Sequence, residues 1–297
     1  MTLLLRSLSF RGLGPRIGGW TRSVVLKNPQ RGLASQAIRD LALPNGRFVR
    51  YKQIPGSNQP TIVYVPGLHS YSHMHGMLST CLLRYCDVNN YPFITYDHEC
   101  MGESRDGDAK SLLFSHWVED VREVVKQLTE GPVVLVSLSM GGWLSLVGAL
   151  EIPERIHGMV LYAPALNYVY PYYNHHRSQL TTAIRERLDS GDIHIISNSY
   201  GDALLKKDFA EDSLNHELDL TKSIPLKCPI RIIHGLQDSE VRPGQSMDLT
   251  NALESQDVDL IYRKSSVHQA VSPPDIELIL NTIDRLFKDN PVYKPVA

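Results

Sequence analysis

The stretch Val133-Val134-Leu135-Val136-Ser137-Leu138-Ser139-Met140-Gly141-Gly142-Trp143 decides how the rest of the chain is read. Its four consecutive apolar residues, mostly β-branched, predict a strand buried on both faces. Small residues then mark a sharp turn, and the apolar run over 143–150 predicts a buried helix. Strand, turn and helix together resemble the setting of the G-x-S-x-G nucleophile elbow, with Ser137 where the first glycine would stand. Such a turn demands small residues two before and two after its centre, since larger side chains would strike the neighbouring strand and helix. Ser137 and Gly141 both meet that demand. The Ser139 hydroxyl would project from a strained backbone at the positive end of the following helix. Residues 131–150 also form a 20-residue stretch without a charge, long enough to span a bilayer. Pro132, the serines and Gly141-Gly142 interrupt it, so strand, turn and helix explain it better, and no transmembrane segment is expected.

Outward from this point, short apolar runs alternate with helical patterns. Thr61-Ile62-Val63-Tyr64-Val65, Phe93-Ile94-Thr95-Tyr96, Met159-Val160-Leu161-Tyr162 and Ile230-Arg231-Ile232-Ile233 read as further buried strands. Residues 258–262 are another candidate, and 47–53 suggest an antiparallel edge hairpin. Trp117, Val121, Val124 and Leu128 share one helix face. Pro273-Pro274-Asp275 opens a final helix with Ile276, Ile279, Leu280, Ile283 and Leu286 on one side. The alternation predicts an α/β fold, a mostly parallel sheet covered by helices on both faces. Residues 166–227 break the rhythm and are too long for an ordinary connection. They open with Tyr168, Tyr170, Tyr172, Tyr173, His175 and His176 and carry a helical pattern around 178–188. This predicts a helical cap over the strand ends, its aromatics either lining a substrate site or packing the cap onto the core.

A nucleophilic serine needs a base, and the base needs an orienting acid. In elbow enzymes they follow in the chain order serine, acid, histidine. Ile232-Ile233-His234-Gly235-Leu236-Gln237-Asp238 runs off a strand into a loop and offers Asp238 as the acid, with Glu240 as the local alternative. His268, after the strand at 258–262 and before the last helix, is the histidine in the right position. Tyr64-Val65-Pro66-Gly67-Leu68-His69 ends a strand in the loop that would supply an oxyanion donor. The backbone N–H groups of Leu68 and Met140 are therefore the candidate oxyanion hole. His69, His73 and His75 are spaced as H-x-x-x-H-x-H, with no Asp, Glu or Cys within 66–80. That is a weak metal signature, and no metal or cofactor is expected.

Together these motifs resemble the α/β-hydrolase superfamily over most of residues 45–290. Within it, Ser139-Met140-Gly141-Gly142-Trp143-Leu144, Cys228-Pro229-Ile230-Arg231-Ile232-Ile233-His234-Gly235 and Asp257-Val258-Asp259-Leu260-Ile261 are similar to mitochondrial palmitoyl-protein thioesterases. The resemblance implies a serine hydrolase with the triad Ser139, Asp238 and His268. It would cleave acyl thioesters on S-acylated proteins, and acyl-glucuronide esters besides, without a cofactor. A general carboxylesterase or lipase is the alternative, and a non-catalytic acyl-binding protein of the same fold is a second. The chain departs from the pattern at Ser137, at Cys100 (a glycine position in the strand-end turn), and in Ser266-Val267-His268, which lacks the acid that often precedes the histidine. A nucleophilic role for Cys100 would lack both the elbow and the base order.

Composition agrees with an ordinary globular protein. The 297 residues are 42% hydrophobic, and 30 Lys+Arg against 32 Asp+Glu give a net charge of −2. That total hides a division. Residues 1–39 hold six Arg, one Lys and no acid, which leaves −9 for residues 40–297. An acidic body disfavours nucleic acid as a partner. The Arg- and Ser-rich start reads as a mitochondrial transit peptide over 1–33, cut near Arg31-Gly32-Leu33, with a hydrolase domain over 40–290. A retained basic arm is the plainer alternative. Cys81, Cys86, Cys100 and Cys228 have no C-x-x-C spacing and are expected as free thiols.

Overall fold

Along β5 (Val133–Leu138) successive side chains enter two different cores. Val133 and Leu135 join Val63, Val65, Ile94 and Tyr96 on one side. Val134 and Val136 join Ile62, Tyr64 and Phe93 on the other. A strand with both faces covered gains about 1.5–3 kcal/mol from each such side chain, which is why an unbroken apolar run forms a strand here. These positions belong to a computed structural model that describes residues 37–68, 72–198, 201–269 and 272–292. The expected leader and its cut site lie outside the described residues.

The sheet has eight strands. In chain order they are β1 (Arg39–Ala42), β2 (Phe48–Ile54), β3 (Thr61–Val65), β4 (Phe93–Asp97), β5, β6 (Ile156–Tyr162), β9 (Ile230–Gly235) and β10 (Val258–Arg263). Their spatial order is β1-β2-β4-β3-β5-β6-β9-β10. β2 pairs antiparallel with β1 and β4, which makes the expected edge hairpin, and the remaining pairs are parallel. Helices α2 (Phe114–Leu128) and α3 (Met140–Glu151) cover one face. Helices α1 (Met77–Asn89) and α8 (Pro273–Asp289) cover the other. Helix α7 (Gly244–Ala252) links the last two strands. Residues 131–150 resolve into β5 and α3, and among the described residues no helix is long and apolar enough to cross a membrane.

Between β6 and β9 the chain inserts α4 (Val169–Gln179), α5 (Thr182–Asp189), a hairpin of β7 (His194–Asn198) and β8 (Gly201–Leu205), and α6 (Lys207–Asp212). The insertion is therefore not purely helical. The periodicity around 178–188 spans two helices, because Leu180 and Thr181 are extended and end α4. The insertion rests on the first turns of α2 and α3, which lie where the parallel strands end. The Ser115 amide donates to Asp212 Oδ2 at 2.7 Å, and the Trp143 indole donates to the His216 carbonyl at 2.9 Å. Phe209 packs edge-on against both Phe114 and Trp117.

Candidate active site

Ser139 sits at φ 57° and ψ −127° between β5 and α3. A non-glycine residue in that region costs about 1–3 kcal/mol and persists only where its surroundings hold it. Three hydrogen bonds do so here. The Ser139 N–H donates to the Tyr162 carbonyl at 2.9 Å, and the Ser139 carbonyl accepts from Gly142 at 2.8 Å and Ala165 at 3.0 Å. Steric fit explains the small residues around it. A Cβ on Gly141 would lie 2.4 Å from the Val65 carbonyl oxygen, and one on Gly142 would lie 2.7 Å from Pro164 Cβ. Ser137, by contrast, is buried where a hydroxymethyl group fits: its Oγ lies 3.8 Å from that same Gly142 Cβ position.

Three residues distant in sequence meet at this turn. Ser139 Oγ is 2.8 Å from His268 Nε2, and His268 Nδ1 is 2.8 Å from Asp238 Oδ2. A carboxylate only accepts, so Nδ1 carries the proton and Nε2 is left to accept from the serine hydroxyl. Asp238 Oδ2 also faces His234 Nε2 at 3.1 Å, while Oδ1 accepts the N–H groups of Glu240 and Val241 at 2.8 and 2.9 Å. Burial pushes the Asp238 carboxyl up, but the hydrogen bonds from His234 and His268 outweigh it and hold the group below the usual carboxylate range. Glu240, the alternative acid, contributes its backbone N–H to Asp238 and keeps its own side chain exposed.

The loop carrying His268 is clamped from α8. Asp275 is buried and accepts the hydroxyls of both Ser266 and Ser272, with Arg263 Nε at 3.3 Å. A carboxylate nine residues after Ser266 thus serves the stretch that lacks an acid beside His268. Gly235 is required by close approach, since a Cβ there would lie 2.2 Å from the Ser266 carbonyl oxygen. The segment leading to Leu68 passes alongside the turn: a Cβ on Gly67 would meet Leu138 O at 3.0 Å and Ser139 Cβ at 3.3 Å. Met140 is the buried first residue of α3.

The other singled-out residues divide. In α4, Tyr172 lies between Tyr168 and His176, with ring centroids 5.4 and 4.3 Å away. Burial and, after it, the Glu240 charge both push the Tyr172 hydroxyl up. Tyr173 is buried and packs the insertion onto the core. Of the three clustered histidines, His69 lies outside the described residues. His73 is buried, its amide donating to Asp97, whereas His75 is exposed beside Lys52. Among the described residues no three His, Cys, Asp or Glu side chains group as a metal site. All four cysteines are free thiols. Cys100 holds φ 66°, the conformation that favours glycine there, and burial with nearby Glu99 pushes its thiol up to about 12, away from nucleophilic thiolate chemistry. His234 and Asp275 stand at this site with no role that the sequence analysis assigns them. The available signals were a histidine four residues before the acid and the S-x-x-D capping pattern at Ser272.

Comparison with known proteins bears on the family and the fold. The family model described as serine aminopeptidase, S33 (Hydrolase_4), matches residues 56–275. The human protein "Palmitoyl-protein thioesterase ABHD10, mitochondrial" is 31% identical over 247 residues, which is 82% of this chain and 77% of that protein. The solved structure of mouse alpha/beta hydrolase domain-containing protein 10 superposes with a TM-score of 0.73 at 28% identity, covering 85% of this chain and 99% of that one. Est1E from Butyrivibrio proteoclasticus, solved with ferulic acid bound, shares the fold at a TM-score of 0.64 and 13% identity, over 84% of this chain and 98% of that one.

Proposed function

The chain belongs to the Hydrolase_4 family of α/β-hydrolases and is a serine hydrolase related to the ABHD10 thioesterases, and from that premise we propose that it cleaves acyl thioesters through Ser139, His268 and Asp238. The observation that carries the proposal is the unbroken hydrogen-bonded chain from Ser139 Oγ through both nitrogens of His268 to Asp238 Oδ2. The family description names peptidases and the relatives are named thioesterases, yet both reactions are acyl transfers that begin with the same attack.

As Ser139 Oγ adds to the acyl carbon, its proton passes to His268 Nε2. Asp238 holds the Nδ1 proton and stabilises the imidazolium that results. The N–H groups of Leu68 and Met140 receive the oxyanion, at about 3 kcal/mol per donor. The C–S bond then breaks, His268 returns its proton to the leaving thiolate, and an acyl ester remains on Ser139. Water gives a proton to His268 as its oxygen attacks that ester; the bond from the acyl carbon to Ser139 Oγ then breaks, His268 returns the proton to Oγ, and the carboxylic acid leaves. S-acylated proteins are the proposed substrates, and small acyl esters, acyl glucuronides included, would follow the same steps. The insertion over 166–227 acts as the cap, its α4 aromatics meeting the apolar acyl group. Residues 40–290 form the catalytic domain, and residues 1–33 direct the protein to mitochondria, with the matrix as its destination; the mitochondrial relatives support that assignment.

A fluorophosphonate probe should label the purified protein and fail to label Ser139→Ala, with palmitoyl thioesters competing better than chain-matched oxoesters. Full labelling of Ser139→Ala would refute the nucleophile. Equal competition by oxoesters would favour a general carboxylesterase.

A further inference from the structure

The geometry points to His234 as a positioning residue that acts on the reaction through Asp238. This rests on the triad reading above and deepens it. His234 is fully buried in β9, four residues before the acid. Its Nε2 faces two acceptors, Asp238 Oδ2 at 3.1 Å and the Val241 carbonyl at 3.2 Å. Neither can donate, so Nε2 bears the proton. Its Nδ1 lies 2.7 Å from Ser246 Oγ on α7, which supplies the hydroxyl proton that Nδ1 accepts. One buried chain therefore runs from Ser246 through His234, Asp238 and His268 to Ser139.

The central feature is that two imidazole N–H groups share a single carboxylate oxygen. His268 approaches Asp238 Oδ2 from one side and His234 from another, while Oδ1 is held by two backbone N–H groups. Every acceptor position of the buried carboxylate is occupied. His234 thus fixes the direction in which Oδ2 points at His268, and it withdraws part of the negative charge that His268 would otherwise meet. Ser246 holds His234 in the tautomer that makes this possible. The other charged or titratable groups facing Asp238 are Glu240 on its own loop and Tyr162 on β6. From the cap, Tyr172 and His176 reach Glu240. None of these donates a side-chain hydrogen to Oδ2, so among the described residues the side-chain donors at that oxygen are the two histidines.

The two effects separate experimentally. His234→Leu, tested in the full chain on a chromogenic short-chain ester and an acyl thioester, should lower kcat about tenfold through lost orientation while KM stays within about twofold. Asp238, relieved of one donor, presents a fuller negative charge to the imidazolium of His268, so the acid limb of the kcat/KM profile, which reports that base, should move up by about half a pH unit or more. His234→Gln, whose amide still donates, should restore most of both. Ser246→Ala, which releases the tautomer without opening the core, should move both in the same direction by less. A folded His234→Leu with wild-type kcat and pH profile would overturn the inference, as would a folded His234→Gln as impaired as the leucine variant. Should the leucine variant fail to fold, an unchanged profile in Ser246→Ala overturns it instead. Fluorophosphonate labelling separates the two readings: an unlabelled wild type removes the triad reading and this one with it, whereas a labelled wild type with indifferent His234 variants removes this one alone.

Discussion

Replacing Gly141 by alanine tests how tightly the turn at Ser139 is built. An added Cβ would lie 2.4 Å from the Val65 carbonyl oxygen and 2.5 Å from that of Pro66. Both are backbone atoms at the buried end of β3, so no side-chain rotation relieves the clash. Ordinary contact begins at 3.4 Å, so the start of α3 and the end of β3 must part by about 1 Å. That movement separates Leu68 from Met140 and draws Ser139 away from His268, now 2.8 Å distant. Misplacement on this scale costs about a hundredfold in rate, and the overpacking costs about 1–3 kcal/mol of stability. Gly148→Ala, two turns along the same helix, is the matched control. There the nearest atoms are Val121 Cγ1 at 3.1 Å and Cβ at 3.3 Å, which need move only tenths of an ångström, and alanine's helix preference of roughly 0.5–1 kcal/mol offsets the strain. The assay is kcat/KM on a chromogenic ester with the rate of fluorophosphonate labelling, beside thermal unfolding. A folded Gly141→Ala that is labelled at the wild-type rate would refute the reasoning, and so would a Gly148→Ala that loses as much activity.

Two more outcomes follow from the same geometry. Asp275→Ala removes the acceptor of Ser266 and Ser272 and should cost about 1–3 kcal/mol. Amide exchange over 264–272 should rise and kcat/KM should fall, and unchanged protection there would count against the clamp. Asp238→Asn should show a pH-dependent loss of stability. Burial pushes the Asp238 carboxyl up, but the hydrogen bonds from the two histidines overcome it and hold the group below the value of about 3.9 that a free aspartate has. Its contribution is therefore complete above that value and lost as pH falls through the lower, folded-state value. The gap between wild type and Asp238→Asn in urea unfolding should be widest near neutrality and narrow below about pH 4. A gap that is constant, or that widens in acid, would contradict the cause assigned to the shift.

Much of this site could be read from the chain because its parts are locally encoded. The run from Val133 to Val136 specifies a two-sided strand, and Gly141 with Gly142 permits the turn that strains Ser139. Asp238 and His268 are candidates by their positions after β9 and β10, although nothing local to them distinguishes an acid or histidine that meets a partner from a solvated one. The break between α4 and α5 is not legible in the sequence, because apolar spacing continues across Leu180 while the backbone does not. The hairpin of β7 and β8 lies in a segment whose short strands pair only with each other, a weak signal beside the buried runs of the main sheet. The pairing of His234 with Asp238 is not legible in the sequence, because only the fold of the loop after it turns Asp238 back toward its ring.

Taken alone, then, the sequence determined the strands, the elbow, the order of the candidate triad and the division of charge between its first 39 residues and the rest. Each of those depends on backbone sterics, side-chain periodicity or composition, which act over a few residues or none. The tertiary structure decided which carboxylate meets His268, that a second histidine shares the same oxygen, and that Asp275 holds the histidine loop from another helix. Ser139 and His268 are 129 residues apart and 2.8 Å from hydrogen-bond partner to partner. A hydrogen bond tolerates an error of a few tenths of an ångström, and that accuracy comes from the register of β5, β6, β9 and β10 across a packed sheet.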